Sequence, residues 1–137
     1  SEEDELVLES LAGQMAIALS NIKRKRELRE LSLRDPLTGL YNRRHLGEAV
    51  ARELERGRRY GHSLAFLMID LDNFREVNNR YGHLKGDEVL CEIAELLVRN
   101  VRATDMVFRY GGDEFLILMP ETDSEAQQAI ERLKRAV

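Results

Sequence analysis

The sequence predicts a mixed α+β fold, and three observations carry that expectation. Apolar runs of strand character, Leu64 to Ile69, Asp105 to Tyr110 and Leu116 to Met119, alternate with segments whose apolar residues recur at helical spacing. Gly111-Gly112 separates two of those runs and reads as the turn of a hairpin, because the positive φ values of tight turns cost glycine little. Phe115, Ile117 and Met119 alternate with Leu116 and Leu118, so both faces of this strand are apolar, as a sheet covered on two sides requires. With 137 residues, 43% of them hydrophobic, the chain can bury one substantial core, which points to one globular domain over 34–137 and a helical appendage over 1–33.

Leu8, Leu11, Met15, Ala18 and Ile22 form a seam at three- and four-residue spacing, fit for a coiled coil or for packing on a preceding domain. Lys23 to Arg26 interrupts it, and Leu28 and Leu31 resume one residue out of phase, which would change supercoiling locally. Asp35 then begins a turn, with Pro36 at a position suited to helix entry. A helical pattern runs from Arg43 to Arg59 and Gly61 ends it. Leu64 to Leu71 is read as a strand buried on both faces. A short helix over Phe74 to Arg80 and a longer one over Gly86 to Val101 precede the hairpin, which Pro120 closes. Ser124 with Gln127 three positions on resembles the capping box of a last helix.

Charge is sorted along the chain. Residues 1–22 carry five acids and no base, residues 23–62 twelve bases against six acids, and residues 63–137 nine bases against fourteen acids. The basic middle alternates with Glu at helical spacing and has no aromatic stacking platform, so it is read as a solvated helical face and not as a nucleic-acid or membrane surface. No apolar stretch approaches membrane-spanning length, no signal-peptide pattern is present, and the single cysteine, Cys91, falls in a helical apolar pattern as a small core residue. A cytoplasmic location is expected. His45 and His62 fit no motif and are read as surface or turn residues.

The chemistry is carried by acids at strand ends. Asp113 and Glu114 follow the hairpin glycines, and Asp70-Leu71-Asp72 ends the first long strand. Carboxylates are poor strand formers and costly to bury alone, so two such sites suggest a cation, although a solvated hairpin tip is the competing reading for the first. With a side-chain period of two, Asp70 shares a face with Phe66 and Met68 while Leu71 points the other way, and neighbouring strands would bring Asp70 and Asp113 together. Hard oxygen ligands of this kind suit Mg²⁺ or Mn²⁺ held together with substrate phosphates. An EF-hand calcium loop fails, because Phe74 stands where a third oxygen ligand belongs and no glycine follows at the sixth position.

Gly111-Gly112-Asp113-Glu114-Phe115 is the signature of GGDEF domains, the diguanylate cyclases of bacterial second-messenger signalling. The segment from Asp35 to Arg44 resembles the opening of that domain. Asp70-Leu71-Asp72-Asn73-Phe74, Asn78, Gly82-His83 and Gly86-Asp87 match its nucleotide segment in order and spacing. The resemblance implies a palm-like arrangement, a mainly antiparallel sheet with helices on both faces. It implies condensation of two GTP into cyclic di-GMP with two divalent cations per site. Asp70, Asp113 and the Leu71 carbonyl would be metal ligands, and Glu114 a ligand or the group that helps deprotonate the attacking hydroxyl. The backbone of Asn73, Phe74 and Arg75 would cradle phosphates, Gly111 and Gly112 would line the substrate, His83 would lie near the nucleotide, and Asn78 and Asp87 would read guanine.

Taken singly, Asn78 also reads as a helix cap and Asp87 as a first-turn acid. Arg102 and Asp105 fall where many of these cyclases carry an Arg-x-x-Asp inhibitory site for the product; a helix-terminal ion pair is the plain alternative. Asn79 and Arg75 depart mildly from the family pattern. The N-terminal helix resembles the last helix of a GAF-type sensor running into the cyclase, with a helix left without its sensor as the alternative. The family's domain continues beyond the helix that ends at Val137, so this chain alone is expected to be a poor cyclase. One guanine pocket and one acidic cluster per chain can hold one GTP, whereas the product contains two guanosines, so a homodimer is expected. The rival classes are a non-catalytic receptor for GTP or cyclic di-GMP and a dimerisation module; the intact acids favour the enzyme.

Overall fold

In the computed structural model, residues 1–122 and 125–136 are described. The elements run α1 (Glu2–Leu33), β1 (Tyr41–Asn42), α2 (Arg43–Tyr60), β2 (Leu64–Asp70), α3 (Phe74–Tyr81), α4 (His83–Arg99), β3 (Met106–Arg109), β4 (Glu114–Pro120) and α5 (Glu125–Ala136). The chain divides into two units, residues 1–33 and 34–137.

The first unit is α1. Glu2, Glu3, Asp4 and Glu5 fill its first turn, where the helix dipole favours negative charge. Its apolar surface is broader than a seam: Leu6 and Ile17 fall on the opposite side from Leu11 and Met15, and all four are at least half exposed.

In the second unit the strands are ordered β1-β3-β4-β2, with β1 parallel to β3 and the other pairs antiparallel. Alternation along β4 feeds two cores. Phe115, Ile117 and Met119 pack with Val107 against Leu90, Ala94 and Leu97 of α4 and Ala129 and Leu133 of α5. Leu116 and Leu118 pack with Phe108 against Leu46, Ala49 and Val50 of α2. Each fully buried Phe or Leu of this kind contributes about 1.5–3 kcal/mol. The sheet is mainly antiparallel with helices on both faces, as expected.

The helix ends follow local chemistry. The Asn42 side chain caps α2 by accepting from the His45 N–H, and Gly61 ends it with φ 71°. Several readings are corrected. Pro36 enters no helix: the Asp35 carboxylate accepts from the Thr38 N–H and hydroxyl, which closes a turn that leads into the short strand β1. β2 is an edge strand of this sheet and not buried on both faces; Leu67 and Ile69 join the main core, but Phe66 and Met68 stay 52% and 51% exposed because the second core reaches only Leu64. α4 begins at His83, earlier than Gly86. His45 is a buried residue, its ring 5.2 Å from Tyr41 and 6.3 Å from Phe108. Ser124, read as a cap of α5, lies outside the described residues.

Candidate functional site

The β2–β4 ladder sets Asp70 opposite Glu114 at its last register position. One step further the Leu71 N–H donates to the Asp113 carbonyl at 3.1 Å, while the N–H groups of Tyr110 and Gly111 both donate to the Glu114 carbonyl, at 2.8 and 3.2 Å. Backbone bonds thus hold a three-residue loop, Gly111 to Asp113, at the end of the sheet. One carboxylate oxygen from each of Asp70, Asp113 and Glu114 lies within 4.8 Å of the others. Among the described residues none of the three carboxylates has a hydrogen-bond or ion-pair partner. Three like charges held this close are mutually destabilising, and a hard divalent cation is the partner their chemistry fits.

The glycines of the loop do not adopt the left-handed backbone expected of them; Gly39, Gly61 and Gly82 are the glycines with positive φ. Gly111 serves another purpose. A Cβ there would stand 3.1 Å from Glu114 Oε2 and 3.3 Å from its Cδ, so glycine leaves room for that carboxylate.

A residue that sequence reasoning missed reaches the same loop. Arg109, the last residue of β3, donates from Nη1 to both oxygens of Asp35, at 3.3 and 3.2 Å, and from Nη2 to the Gly112 carbonyl at 3.1 Å. Its side chain is 19% exposed and that of Asp35 15%. Burial works to raise the Asp35 pKa, but the Thr38 hydroxyl and N–H and the Arg109 guanidinium together outweigh it and hold the carboxyl below its ordinary value.

The α3–α4 hairpin carries the remaining nucleotide candidates. Asn73, Arg75 and His83 are exposed, and Asn73 precedes α3 in the left-handed region, φ 60°. Phe74 packs on the main core. The Asn78 side chain is no cap: its main-chain carbonyl accepts from the Gly82 N–H, while its Oδ1 is buried without a hydrogen-bond partner. It sits against the backbone of α4, where a Cβ on Gly86 would overlap Oδ1 and stand 2.9 Å from the Asn78 Cγ. Because α4 starts at His83, Asp87 lies in its second turn, which removes the first-turn reading. Among the described residues Asn78 Oδ1 is thus a buried polar atom lacking a partner, and Asp87, on the neighbouring helix α4, is partly buried.

Arg102 and Asp105 are not an exposed helix-terminal pair. The Asp105 side chain is 1% exposed and accepts from the Arg102 main-chain N–H at 2.8 Å and from its Nη2 at 2.9 Å. Arg102 Nη2 also donates to the Pro120 carbonyl and the Thr122 hydroxyl, which ties the start of β3 to the end of β4. The pair lines a groove of about 580 Å³ with Arg34, Thr38, Tyr41 and Arg99, a size within the range of small-molecule sites. Arg52, Arg56, Arg58 and Arg59 of the basic stretch are exposed, and Arg56 pairs with Glu53 and Glu121. No helix among the described residues is long and apolar enough to cross a membrane.

Comparison with known proteins adds an independent line. A family model described as "Diguanylate cyclase, GGDEF domain" matches residues 32–137. The chain is 44% identical over 110 residues to diguanylate cyclase DgcP of Pseudomonas aeruginosa, covering 80% of this chain and 16% of that protein. It is 43% identical over 104 residues to diguanylate cyclase DosC of Escherichia coli, covering 75% and 23%. It thus spans less than a quarter of either relative. Among solved structures, diguanylate cyclase SiaD of P. aeruginosa, in complex with its activator SiaC, aligns with TM-score 0.74 at 37% identity over 98% of this chain and 57% of that one. The coiled coil and GGDEF domain of DgcB from Caulobacter crescentus, in complex with c-di-GMP, aligns with TM-score 0.76 at 26% identity over 90% and 68%.

Proposed function

The chain belongs to the GGDEF family of diguanylate cyclase domains, and on that premise we propose that the protein joins two GTP molecules into cyclic di-GMP. The observation that carries the reading is the convergence of Asp70, Asp113 and Glu114 at one sheet end. A pure receptor has no need of three close carboxylates.

In this reading each 3′-hydroxyl attacks the α-phosphorus of the other GTP, a P–O bond forms, the bond to the β-phosphate oxygen breaks, and two pyrophosphates leave. Asp70, Asp113, Glu114 and the Leu71 carbonyl would hold two divalent cations, Mg²⁺ or Mn²⁺. When bound, such ions supply charge stabilisation at the attacking and leaving oxygens. Glu114 accepts the hydroxyl proton, and glycine at position 111 leaves room for its carboxylate to do so. The amides of Asn73 to Arg75 receive the terminal phosphates. Asp87 accepts from guanine N1–H and N2–H₂ together, a donor pair adenine lacks, while Asn78 contacts a ring acceptor. Two such sites face each other in a homodimer that α1 helps to bring together, downstream of a sensor domain. Product returns to the groove at Arg102 and inhibits.

The test is incubation of the full-length protein with GTP and Mg²⁺ and detection of cyclic di-GMP by mass. Asp70→Asn and Asp113→Asn are expected to abolish turnover with unchanged circular dichroism, since neither side chain has a bonding partner among the described residues; product from either variant would remove the metal assignment.

A further inference from the structure

We propose that Arg109 and Asp35 form a clasp that positions the catalytic loop, so that the carboxylates of Asp113 and Glu114 stand correctly for a divalent cation only while Arg109 bridges Asp35 and the Gly112 carbonyl. The inference rests on the acidic cluster being the cation site.

Each residue of the loop has one backbone anchor: the Gly111 N–H on Glu114, the Gly112 carbonyl on Arg109, and the Asp113 carbonyl on the Leu71 N–H. The outer two anchors are main-chain bonds just beyond the ends of the strands. The middle one is a side chain, and packing does not replace it, since a Cβ on Gly112 would meet nothing within 4 Å. Asp35, at the other end of the clasp, is itself fixed. Its carboxylate accepts from the Thr38 N–H at 2.9 Å and hydroxyl at 2.7 Å, its N–H donates to the Leu40 carbonyl at 2.7 Å, and its carbonyl accepts from the Gly39 N–H at 2.9 Å. The guanidinium therefore spans a rigid turn and an otherwise open loop apex.

The geometry needs arginine's planar fork, because one ammonium on a flexible stem cannot hold both acceptors with fixed spacing. Register supports the fork from behind: Arg109 is paired with Asn42 of β1 and Phe115 of β4, so its backbone is held on both sides. Asp35 follows α1 by two residues, α1 ending at Leu33, and the clasp thus ties the catalytic loop to the segment that leads from α1 into the domain.

The experiment compares the full-length protein with Arg109→Met, Arg109→Lys and Asp35→Asn. It reads hydrogen exchange over residues 109–115, Mn²⁺ binding by electron paramagnetic resonance, and steady-state turnover of GTP with ATP as competitor. Arg109→Met is expected to speed exchange in that segment and to weaken Mn²⁺ binding about tenfold or more, the scale of losing a group that orients a metal ligand. Its kcat falls by a similar factor while the GTP-to-ATP preference stays, because Asn78 and Asp87 lie on α3 and α4. Arg109→Lys and Asp35→Asn each keep part of the bridge and fall between wild type and Arg109→Met; they also decide the matter if Arg109→Met fails to fold. Unchanged exchange and Mn²⁺ affinity in Arg109→Lys and Asp35→Asn would overturn the clasp. So would faster exchange spread over the whole of β3 and β4 with loss of nucleotide preference, which marks a merely structural role. A wild-type protein that makes no cyclic di-GMP would defeat the cyclase reading, while the exchange comparison still judges the clasp.

Discussion

Gly86→Ala should separate stability from nucleotide recognition in this domain. Gly86 lies inside α4, where alanine is normally better by about 1 kcal/mol. Its Cβ would, however, overlap the Asn78 Oδ1 and stand 2.9 Å from Asn78 Cγ and 3.2 Å from Phe74 Cζ, so the Asn78 side chain must leave its slot. Crowding of this kind costs about 1–3 kcal/mol. Against it stand the helix gain and the release of a buried, unpartnered oxygen, whose burial costs about 1–3 kcal/mol. The terms nearly cancel, and the melting temperature should move by no more than several degrees. Recognition is not compensated. Loss of the hydrogen bond from Asn78 to the base should weaken GTP binding about tenfold. Calorimetric titration with both nucleotides, beside thermal unfolding, checks this. The double variant Gly86→Ala/Asn78→Ala removes the crowding, so it should bind GTP no more weakly than Gly86→Ala alone, a non-additivity that shows both changes act through Asn78. An unchanged GTP affinity in Gly86→Ala would refute the reasoning.

Other expectations follow from particular contacts. Arg102→Ala strands the buried Asp105 carboxylate and should cost about 3 kcal/mol, the low end for a broken buried pair because the Arg102 side chain is 37% exposed; a loss under about 1 kcal/mol in denaturant unfolding would mean that the pair is not a structural tie. Asp35 has a folded pKa below its ordinary value of 3.8, so the stability it contributes is present above that value and disappears as pH falls through the lower folded one; Asp35→Asn should flatten the acid limb of the stability profile below about pH 4, and an unaltered limb would contradict the assignment. Replacing Leu11 and Met15 of α1 by Glu in the full-length protein should lower specific activity at dilute protein and restore part of it on concentration, since both side chains are at least half exposed and free to pair; activity independent of concentration, with only monomer in sedimentation, would argue against a two-site enzyme.

What the sequence made legible was whatever is local. The apolar runs of β2, β3 and β4, the helical period of α2 and the acids that end two strands are each written in a few consecutive residues, and the strand-end acids needed only the adjacency of β2 and β4 to converge. β1 was missed because two residues, Tyr41 and Asn42, carry no period, and its parallel pairing joins segments more than sixty positions apart. The exposure of Phe66 and Met68 was missed because an edge strand and a central one share the same apolar run. The early start of α4 was hidden by His83 and Lys85, polar residues outside the apolar stripe.

The residues that support the site were illegible for a related reason. Arg109 reads as a charged strand residue until Asp35, 74 positions away, is brought beside it. Gly86 is different, because it left a trace. A glycine inside a helical pattern gives up about 1 kcal/mol against alanine, and a sequence that keeps one there needs a close approach to that backbone. Reading the helix from Gly86 made the residue look like its beginning and removed the anomaly; with α4 starting at His83 the glycine is interior, and the nearest group to it is the Asn78 carboxamide. The same logic applies to Gly111, expected to serve the turn through its φ and instead leaving space for the Glu114 carboxylate. In both cases the glycine is explained by a neighbouring side chain, and in both that side chain belongs to the proposed site.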